Sequence, residues 1–435
     1  MKRSATPGLE PSRRSTGSWV LFDLANTILA LGVLGLYFPA WLVSVQGEPD
    51  SSVTDTLPSE VSDLRLAVTI SVAMLAAIVL GPWIGARSDF AGRRIPYLIS
   101  TTVLAVGATF FLATFGVLPS LVFLVVGLIG FNLGSVVYDA LLPDVSTPGN
   151  RGLVSGLGVG VGYLGSAIAL IAGVLVVDRL GYAAYFRTVA LLFLLFALPA
   201  LFFIQERPRP PRPGAPAFRA VMAHLVRSWR RTRAFPGVTR FLIGRFFYTD
   251  AINTLIAGFL TLFLLNELGF QLEEVQQLLA IAIGASIIGG LGSGRLVDYY
   301  GPRRVLHLAL YVWIAAISVG IVAATIDAPG LGWLLGPVGG LALGATWASD
   351  RVYMARISPP KHLGEFYGLY ATVGRFATWL GPLLWLIIVV ALGLGRSFAM
   401  AALVVLIAVA RVVLRGVDDR PREQADTQID AVNYA

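Results

Sequence analysis

Apolar runs are what most constrain this chain. They fall near residues 19–44, 64–86, 97–115, 120–142, 152–177 and 183–204. After a polar break they resume near 238–265, 274–297, 305–326, 331–354, 365–392 and 397–415. A helix of about 20 apolar residues crosses the hydrocarbon core of a bilayer. Hydrocarbon offers no partner to an open backbone N–H or C=O, so segments that span it must be helical. The expectation is an all-α membrane protein with twelve transmembrane helices, six before the break and six after it. Composition agrees: 56% of the 435 residues are hydrophobic and 13% charged, against about 25% charged in a soluble domain. The first run follows a polar, arginine-containing tail and is too long for a signal-peptide core, so it reads as a retained helix.

The polar residues then exclude whole classes of chemistry. Cysteine is absent, which removes disulfides, thiol catalysis and thiolate metal sites. The three histidines, His224, His307 and His362, are far apart in sequence. No metal site, no cofactor and no enzymatic activity are expected, since no Ser–His arrangement or paired metal carboxylates appear. A net charge of +8 would suggest nucleic acid in a soluble protein. Here the positive charges mark cytoplasmic connectors instead, and no nucleic-acid partner is expected. Only Lys2 and Lys361 are lysine among 33 basic residues, a bias that points to a GC-rich bacterial genome.

Charge asymmetry sets the topology. Lys2, Arg3, Arg13 and Arg14 precede the first run; Arg87, Arg93 and Arg94 follow the second; Arg303 and Arg304 follow the eighth; Arg356 and Lys361 follow the tenth. Residues 45–63 carry Glu48, Asp50, Asp55, Glu60 and Asp63 with no Lys or Arg, and residues 266–274 carry three glutamates. The positive-inside rule places both termini in the cytoplasm, and a bacterial inner membrane is the expected location. The organisation is a cytoplasmic tail (1–17), a six-helix bundle (18–204), a basic linker (205–237), a second six-helix bundle (238–415) and a C-terminal tail (416–435). Arg207–Pro216 reads as extended and Asp418–Ala435 as disordered. In Phe218–Arg233, Phe218, Val221, Met222, Leu225 and Trp229 recur at helical spacing, with arginines on much of the other face. Two readings stand: an interfacial helix on anionic lipid, or a solvated basic linker.

The two halves repeat. Asp23-Leu-Ala-Asn26-Thr27-Ile-Leu-Ala30 in the first run answers Asp250-Ala-Ile-Asn253-Thr254-Leu-Ile-Ala257 in the seventh. Gly85-x-x-x-Asp89-x-x-Gly92-Arg93-Arg94 answers Gly294-x-x-x-Asp298-x-x-Gly301-Pro-Arg303-Arg304. Asp139, late in the fourth run, answers Asp350, late in the tenth. Three matches in the same order indicate two homologous, pseudo-symmetric six-helix halves, which enclose a central site in many secondary transporters.

With these residues on the page, the chain resembles the major facilitator superfamily over roughly residues 18–415. Narrower features are similar to its vacuole-effluxer-like branch, which includes fungal vacuolar amino-acid effluxers: Trp19-Val-Leu-Phe-Asp23-Leu-Ala-Asn26; Tyr138-Asp139-Ala-Leu-Leu-Pro143-Asp144; Arg151-Gly-Leu-Val-Ser155-Gly156 with Gly162-Tyr163-Leu-Gly165; and Glu365-Phe366-Tyr367-Gly368-Leu-Tyr370 leading to Gly381-Pro382. The resemblance implies a monomeric secondary transporter of a small molecule, first of all amino acids, working by alternating access, with protons as the candidate coupling ion. An exporter of amphiphilic drugs or lipid-like molecules, and a non-transporting sensor or scaffold, are the rival functions.

Asp23 and Asn26 share a helix face, with Thr27 beside them; Asp250, Asn253 and Thr254 form the counterpart. Either they line the cavity and bind a polar substrate or proton, or they fix helix packing near the interface. Arg375 sits inside the eleventh run where the fifth has Tyr163. A guanidinium there needs an anionic partner: Asp350, another aspartate, or a substrate carboxylate. Arg245, in the seventh run, raises the same question or snorkels to the cytoplasmic surface. Asn132, Tyr138 and Asp139 are further candidates for the cavity. Asp89, Arg93 and Arg94, with Asp298, Arg303 and Asp350, are the gating candidates; the resemblance implies that the loop acids and arginines tie cytoplasmic helix ends together in one transport state. The glycines of the fifth run read as close helix packing.

Overall fold

The computed structural model describes residues 12–45, 60–147, 151–207, 217–233, 235–358, 366, 369–370, 372–374 and 377–418. Among them every regular element is helical. Nine helices are long and apolar enough to cross a membrane: Arg13–Ser44, Val61–Ala91, Val117–Ala140, Gly160–Phe203, Gly237–Asn266, Leu272–Tyr300, Pro302–Thr325, Pro329–Ile357 and Arg396–Leu414. Shorter apolar helices, Ile95–Phe110 and Leu380–Ala391, take the places of the third and eleventh runs. The fifth and sixth runs meet at Gly181, whose φ of 78° and ψ of 173° turn the chain between two helices. Only glycine adopts such a backbone without steric cost. Divided there, the described helices follow the expected order of twelve, and they are called spans one to twelve below.

Two boundaries differ from the sequence reading. Span one begins at Arg13, because Ser12 caps it by accepting from the Ser15 amide at 3.1 Å; the tail expected to reach residue 17 is helical from there. Span two begins at Val61, so Asp63, expected in an acidic connector, lies in a helix and is fully buried. The basic segment forms a helix, Phe218–Thr232, as its periodicity predicts. The proposed extended stretch lies, apart from Arg207, outside the described residues, and so does the acidic tail beyond Asp418.

The described chain forms two compact units. The first takes the residues up to Tyr37 and Val72–Met222. Its centre is aromatic. Trp19 stacks on Tyr138 with centroids 4.5 Å apart, Phe22 packs on the same ring, and Tyr37 meets Tyr185 at 4.1 Å. Buried hydroxyls find backbone carbonyls: Tyr37 donates to Leu170 at 3.2 Å and Tyr185 to Ala169 at 3.1 Å.

The second unit takes Phe38–Ser71 and the residues from Ala223 onward. The end of span one and the start of span two belong here for an electrostatic reason. Arg396, at the start of span twelve, donates to Asp63 through Nη2 at 2.6 Å and Nε at 3.0 Å. The Trp385 indole donates to the other Asp63 oxygen at 2.6 Å, and Glu267 approaches Arg396 at 3.6 Å. A buried carboxylate is tolerable only when paired and hydrogen-bonded in this way.

Candidate functional site

Span one leaves regular α-helix just after its D-x-x-N-T group. Ala30–Tyr37 is a π-helical segment, and in span seven Leu255–Phe259 again departs from regular helix just after the homologous group, with Gly258 at φ 97°. Insertions of this kind cluster at functional sites because they redirect side chains within a helix. No residue pattern signals them; their recurrence after homologous groups carries the internal repeat into the backbone.

In the first unit, the Asp23 group lies against the glycine-rich fifth span. Thr27 donates to the Gly162 carbonyl and, at 3.0 Å, to Leu24 of its own helix. A Cβ on Gly165 would come within 2.3 Å of the Thr27 hydroxyl, and one on Gly158 within 3.1 Å of an Asp23 oxygen. Gly158, Gly162 and Gly165 pack closely on span one, as read, whereas Gly160 faces open space. Asp23 is half-buried and Asn26 buried. Tyr138 is buried and committed: its hydroxyl donates to the Trp19 carbonyl at 3.1 Å, and the Trp19 indole donates to the Tyr138 carbonyl at 3.2 Å. The Asn132 amide bonds to Leu128 of its own helix at 2.8 Å, while Asp139 is exposed.

The second unit handles the same motif differently. Span eleven is broken at residues 377–379, and its helix restarts at Leu380. The restarted helix exposes amides, and Asp250 takes them: Oδ1 accepts from Trp379 N at 2.9 Å and Leu380 N at 3.0 Å. Carboxylates favour helix N-termini, where unpaired N–H groups and the helix dipole point at them. The Asn253 amide closes the break from below, donating to the Ala377 carbonyl at 2.9 Å and the Thr378 hydroxyl at 3.0 Å. Asp250 is fully buried, yet its Oδ2 has no hydrogen-bond partner among the described residues. Asn253 beside it is half-buried. Arg375 lies outside the described residues, two positions before the break.

One turn earlier in span seven, Arg245 does not snorkel. It is 6% exposed and ion-paired to Asp350 of span ten. Asp350 also accepts from the Tyr370 hydroxyl at 2.9 Å, and the Tyr370 ring lies 3.6 Å beneath the Arg245 guanidinium. Tyr248 lies 3.4 Å from Arg245 and 3.3 Å from Asp350. Of the three partners open to Arg375, Asp350 is already neutralised by Arg245, and Arg375 itself lies outside the described residues. Asp350 is buried in this cluster and stands apart from the loop arginines with which it was grouped.

The two repeated loops also differ. After span two, Arg94 donates to Asp89 through Nη2 at 2.6 Å and Nε at 3.2 Å, and lies 3.6 Å from buried Asp144. It also donates to the Ala140 carbonyl, and Glu206 accepts from the Arg94 and Ile95 amides. Arg93 is exposed, so Arg94 makes the tie. Arg94→Ala is expected to lower the thermal stability of the first unit by about 1–3 kcal/mol, because the Arg94 hydrogen bonds to Asp89 and the Ala140 carbonyl are lost beside buried Asp144. An unchanged unfolding midpoint would show the tie to be idle. After span eight, Asp298 and Arg303 form no ion pair among the described residues; Arg303 donates instead to the Arg415 carbonyl at 2.8 Å.

Comparisons with known proteins bear on what these features serve. A family model described as "Vacuole effluxer Atg22 like" matches residues 147–426, and one described as "Major Facilitator Superfamily" matches residues 20–263. The "Uncharacterized MFS-type transporter YxiO" of Bacillus subtilis is 26% identical, over 95% of this chain and 97% of its own. "Autophagy-related protein 22-2" of Aspergillus clavatus is 25% identical over 53% of this chain and 42% of its own. Among solved structures, a D-xylose-proton symporter superposes with a TM-score of 0.68 over 93% of this chain and 98% of its own, at 15% identity. At that identity the likeness is one of fold.

Proposed function

The chain belongs to the major facilitator superfamily, within its vacuole-effluxer-like family, and is an integral membrane secondary transporter; we propose that its solute is a small neutral or zwitterionic amino acid, moved by alternating access and coupled to protons. One observation carries the reading. Asp250 is a buried carboxylate with one oxygen held by the restarted helix of span eleven and the other unpartnered among the described residues. Broken helices of this sort form substrate and ion sites in secondary transporters. A carboxylate held so is able to take a proton, or the ammonium of an amino acid, in one state and give it up in another. Arg375 is the residue proposed for the substrate carboxylate, since a guanidinium grips a carboxylate in a planar, bidentate way. Asn253 is proposed to add a polar contact beside Asp250, and Asp23 with Asn26 to form the first unit's own polar group.

The remaining features fit the same cycle. The Arg94–Asp89–Asp144 tie is proposed as a cytoplasmic latch that forms in one state and opens in the other. The amphipathic helix Phe218–Thr232 is proposed to rest on anionic lipid, with arginines toward the headgroups. A vacuolar lumen is topologically outside, so efflux from it corresponds to uptake across a bacterial inner membrane. Accumulation in inverted but not right-side-out vesicles would reverse that direction.

The test is flux into liposomes holding the purified protein, with labelled amino acids and an imposed inward proton gradient. Saturable uptake that collapses with the gradient is expected. Asp250→Asn is expected to lower it about 10–100-fold, the equivalent of one charge-assisted hydrogen bond. Uptake indifferent to the gradient would remove the proton. No uptake of any amino acid by folded protein would remove the substrate class and bring an amphiphile forward.

A further inference from the structure

The second loop assembles a charge pattern that the first does not have. In the first repeat an arginine at the start of span three lies between two acids, Asp89 at the end of span two and Asp144 just after span four. In the second repeat the end of span eight again supplies an acid, Asp298, and the start of span nine supplies Arg303 and Arg304. The end of span ten, however, supplies Arg356. Counting from the matched aspartates, Asp144 follows Asp139 by five positions and Arg356 follows Asp350 by six. A cation therefore stands close to where the first repeat has its second anion. The three arginines line a cavity of about 400 Å³ together with Asp298, Tyr299 and Tyr300. Arg304 and Arg356 make no ion pair or hydrogen bond among the described residues. Against three cations the cavity holds one carboxylate, so its lining carries a net positive charge.

We propose that this cavity binds the phosphate of an anionic phospholipid headgroup, which ties the ends of spans eight, nine and ten as Asp89 and Asp144 tie theirs through Arg94. A phosphate supplies the missing anion and suits guanidinium forks. It also meets the N-terminus of span nine, where Gly301 caps a helix beginning at Pro302 and the amides carry positive potential. What selects a lipid over free phosphate is the surface leading into the cavity. Ile288, Leu291 and Tyr299 lie on one face of span eight and are 67%, 76% and 81% exposed. Ile288 and Leu291 give an acyl chain an apolar path, and exposed Arg295, on the same face between them and Tyr299, adds a cation on the approach to the headgroup. Tyr299 and Tyr300 belong to the aromatic types enriched at the headgroup level. The site lies at the cytoplasmic end of its helices by the charge rule, in the leaflet where arginine-rich surfaces meet anionic lipid.

Photo-crosslinking tests it. The full-length protein is placed in nanodiscs with phosphatidylglycerol bearing a photoactivatable group near its headgroup, or with the matching phosphatidylcholine. Mass spectrometry then maps the labelled peptides. Labelling of the peptide holding Asp298–Arg304 is expected from the anionic lipid and not from the zwitterionic one. The Arg304→Gln/Arg356→Gln variant is expected to lose that labelling about tenfold, through two missing surface charges. Labelling of Phe218–Thr232 in the same sample should not change, which reports a folded chain in an anionic bilayer. If the double variant fails to fold, Arg304→Gln alone serves, since that side chain is exposed. Equal labelling by both lipids, or equal labelling of the wild type and the folded variant, would overturn the proposal. So would suppression of the label by inorganic phosphate too dilute to screen the bilayer, which would assign the cavity to a free anion.

Discussion

Asp350→Ala is expected to destabilise the second unit by about 3–5 kcal/mol, because it strands the Arg245 cation in the interior. Arg245 is buried between Asp350 and the Tyr370 ring, and has no water to turn to. The Tyr370 hydroxyl loses its acceptor in the same substitution. Replacing both charges, as Arg245→Met with Asp350→Leu, should recover most of the loss, since a buried ion pair is often no more stabilising than apolar residues of similar volume. Unfolding of detergent-purified variants, followed by intrinsic tryptophan fluorescence, measures both. If the single variant is as stable as the wild type, the pair is not the desolvated contact described above. The double variant also separates packing from transport. If it folds and carries substrate, the cluster is structural; if it folds and carries none, Arg245 or Asp350 takes part in the cycle. Because Asp250 lies five positions along the same helix, the second result would place both carboxylates in one polar layer.

Why the spans were legible and these partners were not is a matter of what each depends on. Bilayer thickness sets the length of an apolar run whatever its neighbours do, so the twelve helices could be read directly, and the repeat aligned them. The amphipathic helix Phe218–Thr232 was legible for the same reason, since helical periodicity is local. Partner choice depends on helix rotation, which the run of hydropathy does not encode. Asp139 and Asp350 occupy matching places in the repeat, yet one is exposed and the other fully buried. Position alone favours a surface fate for Arg245, because its distance from the helix start lets it snorkel. Asp63 was grouped with connector acids because span two extends farther out than its apolar core. One signal did point to it: Arg396 begins span twelve on the side where the charge rule disfavours arginine. A cation in that place calls for an acid, and Asp63 and Glu267 answer it.

Those same residues yield the other large expected effect, a reversible block of transport. Ser62 and Asn266 sit beside the Asp63–Arg396 pair, with the Asn266 amide 3.4 Å from the Ser62 hydroxyl. Asp63 joins the start of span two to Trp385 and Arg396, which are more than 300 positions away. By the charge rule these contacts lie at the non-cytoplasmic ends of their helices. An alternating-access cycle that opens to that side is expected to part them, exchanging a buried ion pair, in which Arg396 Nε and Nη2 both donate to Asp63 Oδ2, for hydration. The chain has no cysteine, so Ser62→Cys with Asn266→Cys introduces two thiols and no others. A short thiol crosslinker joining them is expected to abolish flux, and a cleavable one to restore it on reduction, while each single variant transports normally after the same treatment. Undiminished flux in the crosslinked protein would show that the start of span two and the end of span seven stay together throughout the cycle. The Asp63–Arg396 pair would then be a fixed strut, and the opening would have to occur between other helices. A block without restoration would point to damage by the reagent, which the single variants expose. The expected pattern would make the Asp63–Arg396 pair a contact that is released and re-formed in each cycle, within the unit that also holds the buried carboxylate of Asp250.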